Sequence, residues 1–186
     1  GHVRTLDALA LSDRLLVSTQ PLADYYAAYS KDIRLVPNSL EETAWGGHFR
    51  IPSDRSRLRV GWAGAGQHLG DLRLIKDVVA SLANDVDWIF MGMCPDELRP
   101  FIKEFHPFVS YKHYPTKLAA LDLDIALAPL EDNPFNACKS NLRLLEYGAM
   151  GWPTICSDVY PFRTSSPPVI RLSNDAELWV QEIRKL

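Results

Sequence analysis

The sequence predicts an α/β fold, a Rossmann-like doubly wound parallel sheet with a short remnant of a preceding domain. Three observations carry this. Short apolar runs alternate with helix-patterned stretches along the whole chain. Several runs, such as "LRVGWAG" (58–64) and "DIALAPL" (124–130), are almost continuously apolar, as strands covered on both faces must be. Loops and amphipathic stretches separate the runs, and right-handed crossovers turn such a series into a doubly wound sheet.

In chain order, the first segment opens inside a helical pattern. "RLLVST" (14–19) reads as a strand, "PLADYYAAYS" (21–30) as a helix with Pro21 in its first turn, and "IRLVPNSL" (33–40) as a strand stopped by Pro37-Asn38. Residues 41–57, with Gly46-Gly47, Pro52 and scattered charges, read as a linker. A second series follows: strand 58–64, helix 71–84 with Asp71 as N-cap, strand 86–92, helix 94–105, strand 108–114 and helix 115–122. It closes with strand 124–130, helix 138–150, strands 153–158 and 169–172, and helix 174–186. The expected division is 1–57, the end of an amino-terminal domain with its linker, and 58–186, a ligand-binding domain. Ligands of such sheets sit beyond the carboxyl ends of the strands, which selects the loops at 64–70, 91–94 and 130–138.

Composition narrows the function. The chain has 186 residues, 47% hydrophobic and 23% charged, enough for a sizeable core without disulfides. A net charge of −3 with acid and base mixed argues against a nucleic-acid partner. No apolar run approaches the roughly 18 residues of a membrane span. Cys94, Cys138 and Cys156 form no C-x-x-C pair, so a disulfide framework or zinc site is not expected, and a reducing cytoplasm is. Gly1-His2 has the look of a tag remnant on a fragment of a longer protein.

Two motifs carry the chemistry. In "GWAGAGQHLG", Gly64, Ala65 and Gly66 lie between a strand and a helix, where backbone N–H groups approach a phosphate closely. The spacing is not G-x-G-x-x-G, and the next strand ends in Met91-Gly92-Met93 without a ribose-binding acid, so a nicotinamide dinucleotide is disfavoured. His68 in this loop is either a ligand donor or a helix-capping histidine. In the second motif Lys139, Arg143 and Glu146, spaced i, i+4, i+7, share a helix face beside the apolar Leu142, Leu145 and Ala149. A Lys in a first turn opposes the helix dipole, and an anionic ligand at Lys139 and Ser140 explains it; a solvated Arg143–Glu146 pair is the plain alternative. "DLD" (122–124) has the form of a metal-binding D-x-D but falls at the amino edge of the sheet, which favours a structural role.

"DIALAPLEDNPFNACKSNLRLLEYGAMGWPTICSD" contains N-x-x-K-S-x-x-K/R-x-x-E-y-x-x-x-G-x-P. With "ALSDRLLVSTQPLADYY", "IRLVPNSLEETAW" and "RLRVGWAGAGQHLGDLRLI" in order, it resembles the carboxyl-terminal, donor-binding half of a GT-B glycosyltransferase of the Glu-x7-Glu type. The resemblance implies a transferase that takes a nucleotide-diphosphate sugar, without a metal, for a glycan or lipid-linked acceptor held by an amino-terminal domain. It further implies bacterial surface polysaccharide (O-antigen) synthesis in the cytoplasm, with peripheral contact to the inner membrane. It puts Lys139 and His68 in catalysis, and Gly64, Ala65, Gly66, Lys139, Ser140 and Arg143 at the diphosphate. Glu146 falls at the ribose, Met91, Gly92 and Tyr111 near the base, and Asn133, Phe135 and Asn136 towards the sugar. Cys138 stands where the motif has its first Glu, so the sugar contact is missing or moved to Asp132, Asn133 or Asn136, and sugar identity and stereochemistry stay open. A nucleotide-sugar 2-epimerase-like enzyme and a non-catalytic donor-domain scaffold are the alternatives.

Overall fold

The computed structural model describes residues 2–48, 54–164 and 168–186. The chain opens with helix α1 (His2–Ala10), strand β1 (Leu15–Val17), helix α2 (Gln20–Tyr26) and strand β2 (Ile33–Leu35). β1 and β2 pair in parallel, Leu15 opposite Ile33, with α2 as the crossover. The stretch expected as linker carries a short helix, α3 (Glu42–Trp45), that anchors it. Trp45 is buried against the main core and meets Tyr114 edge-on at 5.8 Å. One turn of helix is too short to show periodicity, so its only signal was the Trp itself. Pro52 and its neighbours at 49–53 lie outside the described residues.

Six strands form the main sheet: β3 (Arg59–Ala63), β4 (Asp87–Gly92), β5 (Ile102–Pro107), β6 (Ile125–Ala128), β7 (Thr154–Ser157) and β8 (Ile170–Leu172). All pair in parallel in the order β5-β4-β3-β6-β7-β8. Helices α4 (Leu69–Arg73), α5 (Lys76–Ser81), α6 (Tyr114–Ala119), α7 (Pro134–Ala137), α8 (Leu142–Ala149), α9 (Tyr160–Arg163) and α10 (Ala176–Lys185) join and flank these strands. Side chains alternate between two cores. Ile89, Leu123, Tyr147 and Trp152 pack in one, and Trp62, Trp88, Leu127 and Trp179 in the other. This is why β6 and β7 are buried at every position and read as unbroken apolar runs. Strand order reverses between β3 and β6, and the crevice at that switch point is the ligand position of a doubly wound sheet.

Four expectations are corrected. The helix expected at 71–84 is broken into a 3-10 turn (Gly66–His68), α4 and α5, and Asp71 lies inside α4 rather than capping it, because its carboxylate is drawn into the crevice. The helix expected at 94–105 and the strand at 108–114 are replaced by a 3-10 turn at Arg99–Phe101, strand β5 and a second 3-10 turn at Tyr111–His113. β5 is an edge strand with a register shift opposite Trp88 and Ile89, so its apolar residues do not alternate and Phe101 and Phe105 mimic a helical repeat. The helix expected at 138–150 starts at Leu142; a separate turn, α7, precedes it, with the Asn133 side chain accepting from Asn136 N at 2.8 Å. Lys139 therefore sits in a connection, not on the helix face of Arg143 and Glu146. Helix α9 was not anticipated.

"DLD" is structural, as the topology argued. Asp124 accepts from the Arg59 backbone N–H at 2.7 Å, and Asp122 takes the Arg55 guanidinium. Both lie at the amino edge of the sheet, where Arg57 and Asp87 also pair.

Candidate functional site

Loops from β3, β4, β5 and β6 enclose a 450 Å³ cavity with the first turns of α8, at the switch point. That volume suits a small organic ligand. Gly92 shapes its floor: φ is +88°, and a Cβ there would sit 2.2 Å from the Gly64 carbonyl oxygen. Only glycine lets the loops after β3 and β4 approach this closely.

Arg143 holds the first loop in place. Its Nη1 donates to the Ala63 carbonyl, its Nη2 lies 3.2 Å from His68 Nε2, and its guanidinium stands 5.1 Å from the Trp62 ring. Since arginine only donates, His68 Nε2 accepts, and the His68 proton sits on Nδ1, which donates to Asp71 Oδ2 at 2.7 Å. Burial lowers the His68 pKa against the pull of Asp71, and the Arg143 and Lys139 charges lower it further, so the ring is neutral at pH 7. Tyr147, fully buried on α8, completes the clamp by accepting from the Ala63 N–H at 3.0 Å.

Asp71 is 2% exposed and touches both sides of the crevice. Beyond His68 it accepts from Glu131 N at 2.8 Å and Asn136 Nδ2 at 3.1 Å. Burial raises its pKa, but these bonds and the nearby Lys139 outweigh that and hold it below the ordinary carboxylate range. Lys139 Nζ comes no nearer than 3.6 Å to Asp71 Oδ2 and lies 5.2 Å from the Phe135 ring centroid. The ammonium is buried with no hydrogen-bond partner among the described residues, and burial lowers its pKa. The residues on either side of it are held by the first βαβ unit: Thr19 Oγ1 donates to the Cys138 carbonyl at 2.8 Å, and Asn38 Nδ2 donates to Ser140 Oγ at 2.7 Å.

At the other end, Tyr114 OH donates to Glu146 Oε2 at 3.2 Å, and burial raises the Glu146 pKa. The cavity wall at Leu130 is fixed from behind. Ser157 Oγ accepts from Leu130 N at 2.8 Å and donates to Asn174 Oδ1 at 2.6 Å, while Asn174 Nδ2 donates to Leu130 O at 3.0 Å.

Of the residues singled out in the sequence, Gly64, Ala65, His68, Met91, Gly92, Tyr111, Lys139, Ser140, Arg143 and Glu146 line this cavity. Gly66, Asn133, Phe135 and Asn136 do not. Asn133 caps α7, Asn136 is committed to Asp71 and to the Glu131 carbonyl, and Phe135 is largely exposed beside Lys139. The two asparagines considered in place of the motif's first Glu are thus engaged within the protein, and neither they nor Asp132 line the cavity. Sequence reasoning missed Asp71, Tyr114, Tyr147 and Ser157 as members of the site. Tyr147, one turn beyond Arg143 on the same face, was the one a helical projection marks. Among the described residues, no group of three His, Cys, Asp or Glu is placed to hold a metal ion, and no helix is long and apolar enough to cross a membrane.

No protein-family model and no curated protein matches the chain. Solved structures do. Sucrose-phosphate synthase from Thermosynechococcus elongatus is 15% identical with a TM-score of 0.64, over 98% of this chain and 51% of that one. Anabaena Alr3699/HepE, solved in complex with UDP, is 10% identical with a TM-score of 0.64, over 94% of this chain and 54% of that one. An α,α-trehalose-phosphate synthase (UDP-forming) from Burkholderia xenovorans, solved with glucose-6-phosphate, is 13% identical with a TM-score of 0.63, over 99% of this chain and 55% of that one. The chain spans about half the length of these structures. The likeness shows the fold, a Rossmann-like half of a GT-B architecture.

Proposed function

We propose that the switch-point cavity binds a nucleotide-diphosphate sugar and that the chain is the donor half of a glycosyltransferase. The observation that carries this is the Lys139 ammonium, desolvated and without a hydrogen-bond partner, at the wall of a cavity bounded by backbone-rich loops. The diphosphate lies between Lys139, Ser140 and the loop at Gly64–Ala65, the ribose hydroxyls meet Glu146, and the base lies towards Met91, Gly92 and Tyr111. Glu146 has one oxygen on Tyr114 and the other available.

Breaking the sugar–phosphate bond places negative charge on the departing nucleoside diphosphate. Lys139 and backbone N–H groups stabilise that charge as it develops, where low dielectric strengthens their effect, and no metal is needed. Arg143 acts chiefly through the loop it clamps, since both its terminal nitrogens, Nη1 and Nη2, already contact protein groups. His68, neutral and half-buried beside Arg143, takes part as an acceptor rather than a phosphate donor.

In this reading 1–57 completes an amino-terminal domain that holds a glycan or lipid-linked acceptor, and 58–186 is the donor domain. The cellular setting is cytoplasmic synthesis of a bacterial surface polysaccharide such as O-antigen, with peripheral contact to the inner membrane. The UDP named for one structural neighbour and the UDP-forming reaction named for another support a nucleotide ligand. Titration calorimetry with UDP, GDP, dTDP and CMP tests it. One of them is expected to bind saturably with one-to-one stoichiometry; a folded sample that binds none overturns the reading.

A further inference from the structure

We propose that Asp71 is the positioning residue of this site: one buried carboxylate ties the loop after β3 to the loop after β6 and presents His68 as a hydrogen-bond acceptor. The tie itself is independent of which ligand the cavity takes. Only the affinity arm of its test rests on the nucleotide reading above.

The two carboxylate oxygens divide the work. Oδ1 accepts from Glu131 N at 2.8 Å and Asn136 Nδ2 at 3.1 Å, both in the loop after β6. Oδ2 accepts from His68 Nδ1 at 2.7 Å, in the loop after β3, and faces Lys139 Nζ at 3.6 Å. Three N–H groups thus converge on a side chain that is 2% exposed, where water cannot replace a lost partner. Only an acceptor-only side chain satisfies all three. An amide at this position must turn its NH2 towards one set of donors, either the Glu131 and Asn136 N–H groups or His68 Nδ1–H.

The second choice has a consequence one residue further on. His68 would have to shift its proton to Nε2, and that N–H would then meet Arg143 Nη2, a donor, at 3.2 Å. Arg143 holds the Ala63 carbonyl, where β3 gives way to the glycine loop. The chain of dependence therefore runs Asp71, His68, Arg143, Ala63: Asp71 sets the His68 tautomer, and the accepting Nε2 helps hold the guanidinium that grips the Ala63 carbonyl. The groups facing the His68 ring are Asp71, Arg143, Lys139 and the edge-on Trp62 ring at 5.9 Å; Asp71 alone among them accepts. Asp71 also keeps Lys139 near the cavity wall without binding it in a hydrogen bond.

The first test needs no variant. Nitrogen-15 NMR of histidine-labelled protein reads the tautomer of each ring, and His68→Ala identifies the His68 signals among the five histidines. The unliganded wild type is expected to show His68 as the Nδ1–H tautomer near neutral pH. An Nε2–H form, or rapid averaging of the two, overturns the proposal. In the second test, Asp71→Asn is expected to disturb the His68 tautomer and weaken nucleoside diphosphate binding by about tenfold to a hundredfold. Its effect should be less than additive with that of His68→Ala, as coupled residues require. An unchanged tautomer with unchanged affinity, or full additivity, contradicts it. If Asp71→Asn does not fold, the wild-type spectrum still decides. If the wild type binds no nucleotide, the functional reading fails while the tautomer result stands.

Discussion

The Lys139 ammonium stops 3.6 Å from the Asp71 carboxylate, too far for a hydrogen bond, and no other described residue offers it an acceptor. Burying a cation without a hydrogen bond is unfavourable even beside a carboxylate, and here burial lowers its pKa while Asp71 opposes the shift. The Asp71 carboxylate is held in place by His68, Glu131 and Asn136, and in that position it pairs with the ammonium by charge without a hydrogen bond. Lys139 lines the cavity, and an anion entering beside it would supply the charge-assisted hydrogen bond that the protein itself does not make.

Tyr147→Phe is expected to destabilise the fold by about 1–3 kcal/mol. The hydroxyl accepts from the buried Ala63 N–H at 3.0 Å, and its loss strands that donor. In urea the unfolding midpoint should fall with little change in slope. An unchanged midpoint would mean that Ala63 finds another acceptor.

Acid stability should depend on Glu104. It grips Arg59 with both oxygens, at 2.6 and 3.0 Å, and this pairing, together with the His106 contact, holds its pKa at about 2 against an ordinary 4.5. A depressed folded-state pKa gives stability that is complete above pH 4.5 and is lost as pH falls towards 2. The side chain is 38% exposed, so solvent screening reduces the contribution to about 1 kcal/mol. Glu104→Gln should lower stability at pH 6 and flatten its decline between pH 4.5 and 2. Parallel stability–pH curves for the two proteins would contradict this.

Gly92 and Gly66 should respond differently to alanine. Gly92→Ala places a Cβ 2.2 Å from Gly64 O at a φ of +88°, and should cost about 2 kcal/mol or more with loss of ligand binding. Gly66→Ala meets no atom within 4 Å, and its melting temperature should match the wild type. Thermal unfolding of both variants checks the pair; equal destabilisation would show that the loop is not packed as described.

The sheet was legible because β3, β4, β6 and β7 are buried on both faces, which leaves an unmistakable apolar run. β5 was misplaced by several residues because an edge strand half open to solvent, with Pro107 at its end, loses that signature. The cavity wall was legible where local chemistry is unusual, at Gly64 and at Lys139-Ser140. Asp71 was read as a helix cap, since Asp beside a helical pattern is the common cap. Two of its three hydrogen-bond partners, Glu131 and Asn136, are 60 and 65 residues away, and no local pattern reports such a contact. The spacing puts Lys139 and Arg143 on one helix face, whereas α7 opens at the Asn133 cap and ends at Ala137, which leaves Lys139 in a connection beside the cavity.

If Lys139 meets a diphosphate, its side chain matters to affinity only when the phosphates are present. The nucleoside diphosphate that binds the wild type, and the corresponding nucleoside, would be titrated calorimetrically into wild type and Lys139→Ala. The expected result is a loss of about 1.5–3 kcal/mol for the diphosphate and almost none for the nucleoside. Equal affinity of the two proteins for the diphosphate, or an equal loss for both ligands, would contradict the claim and move the phosphates away from Lys139.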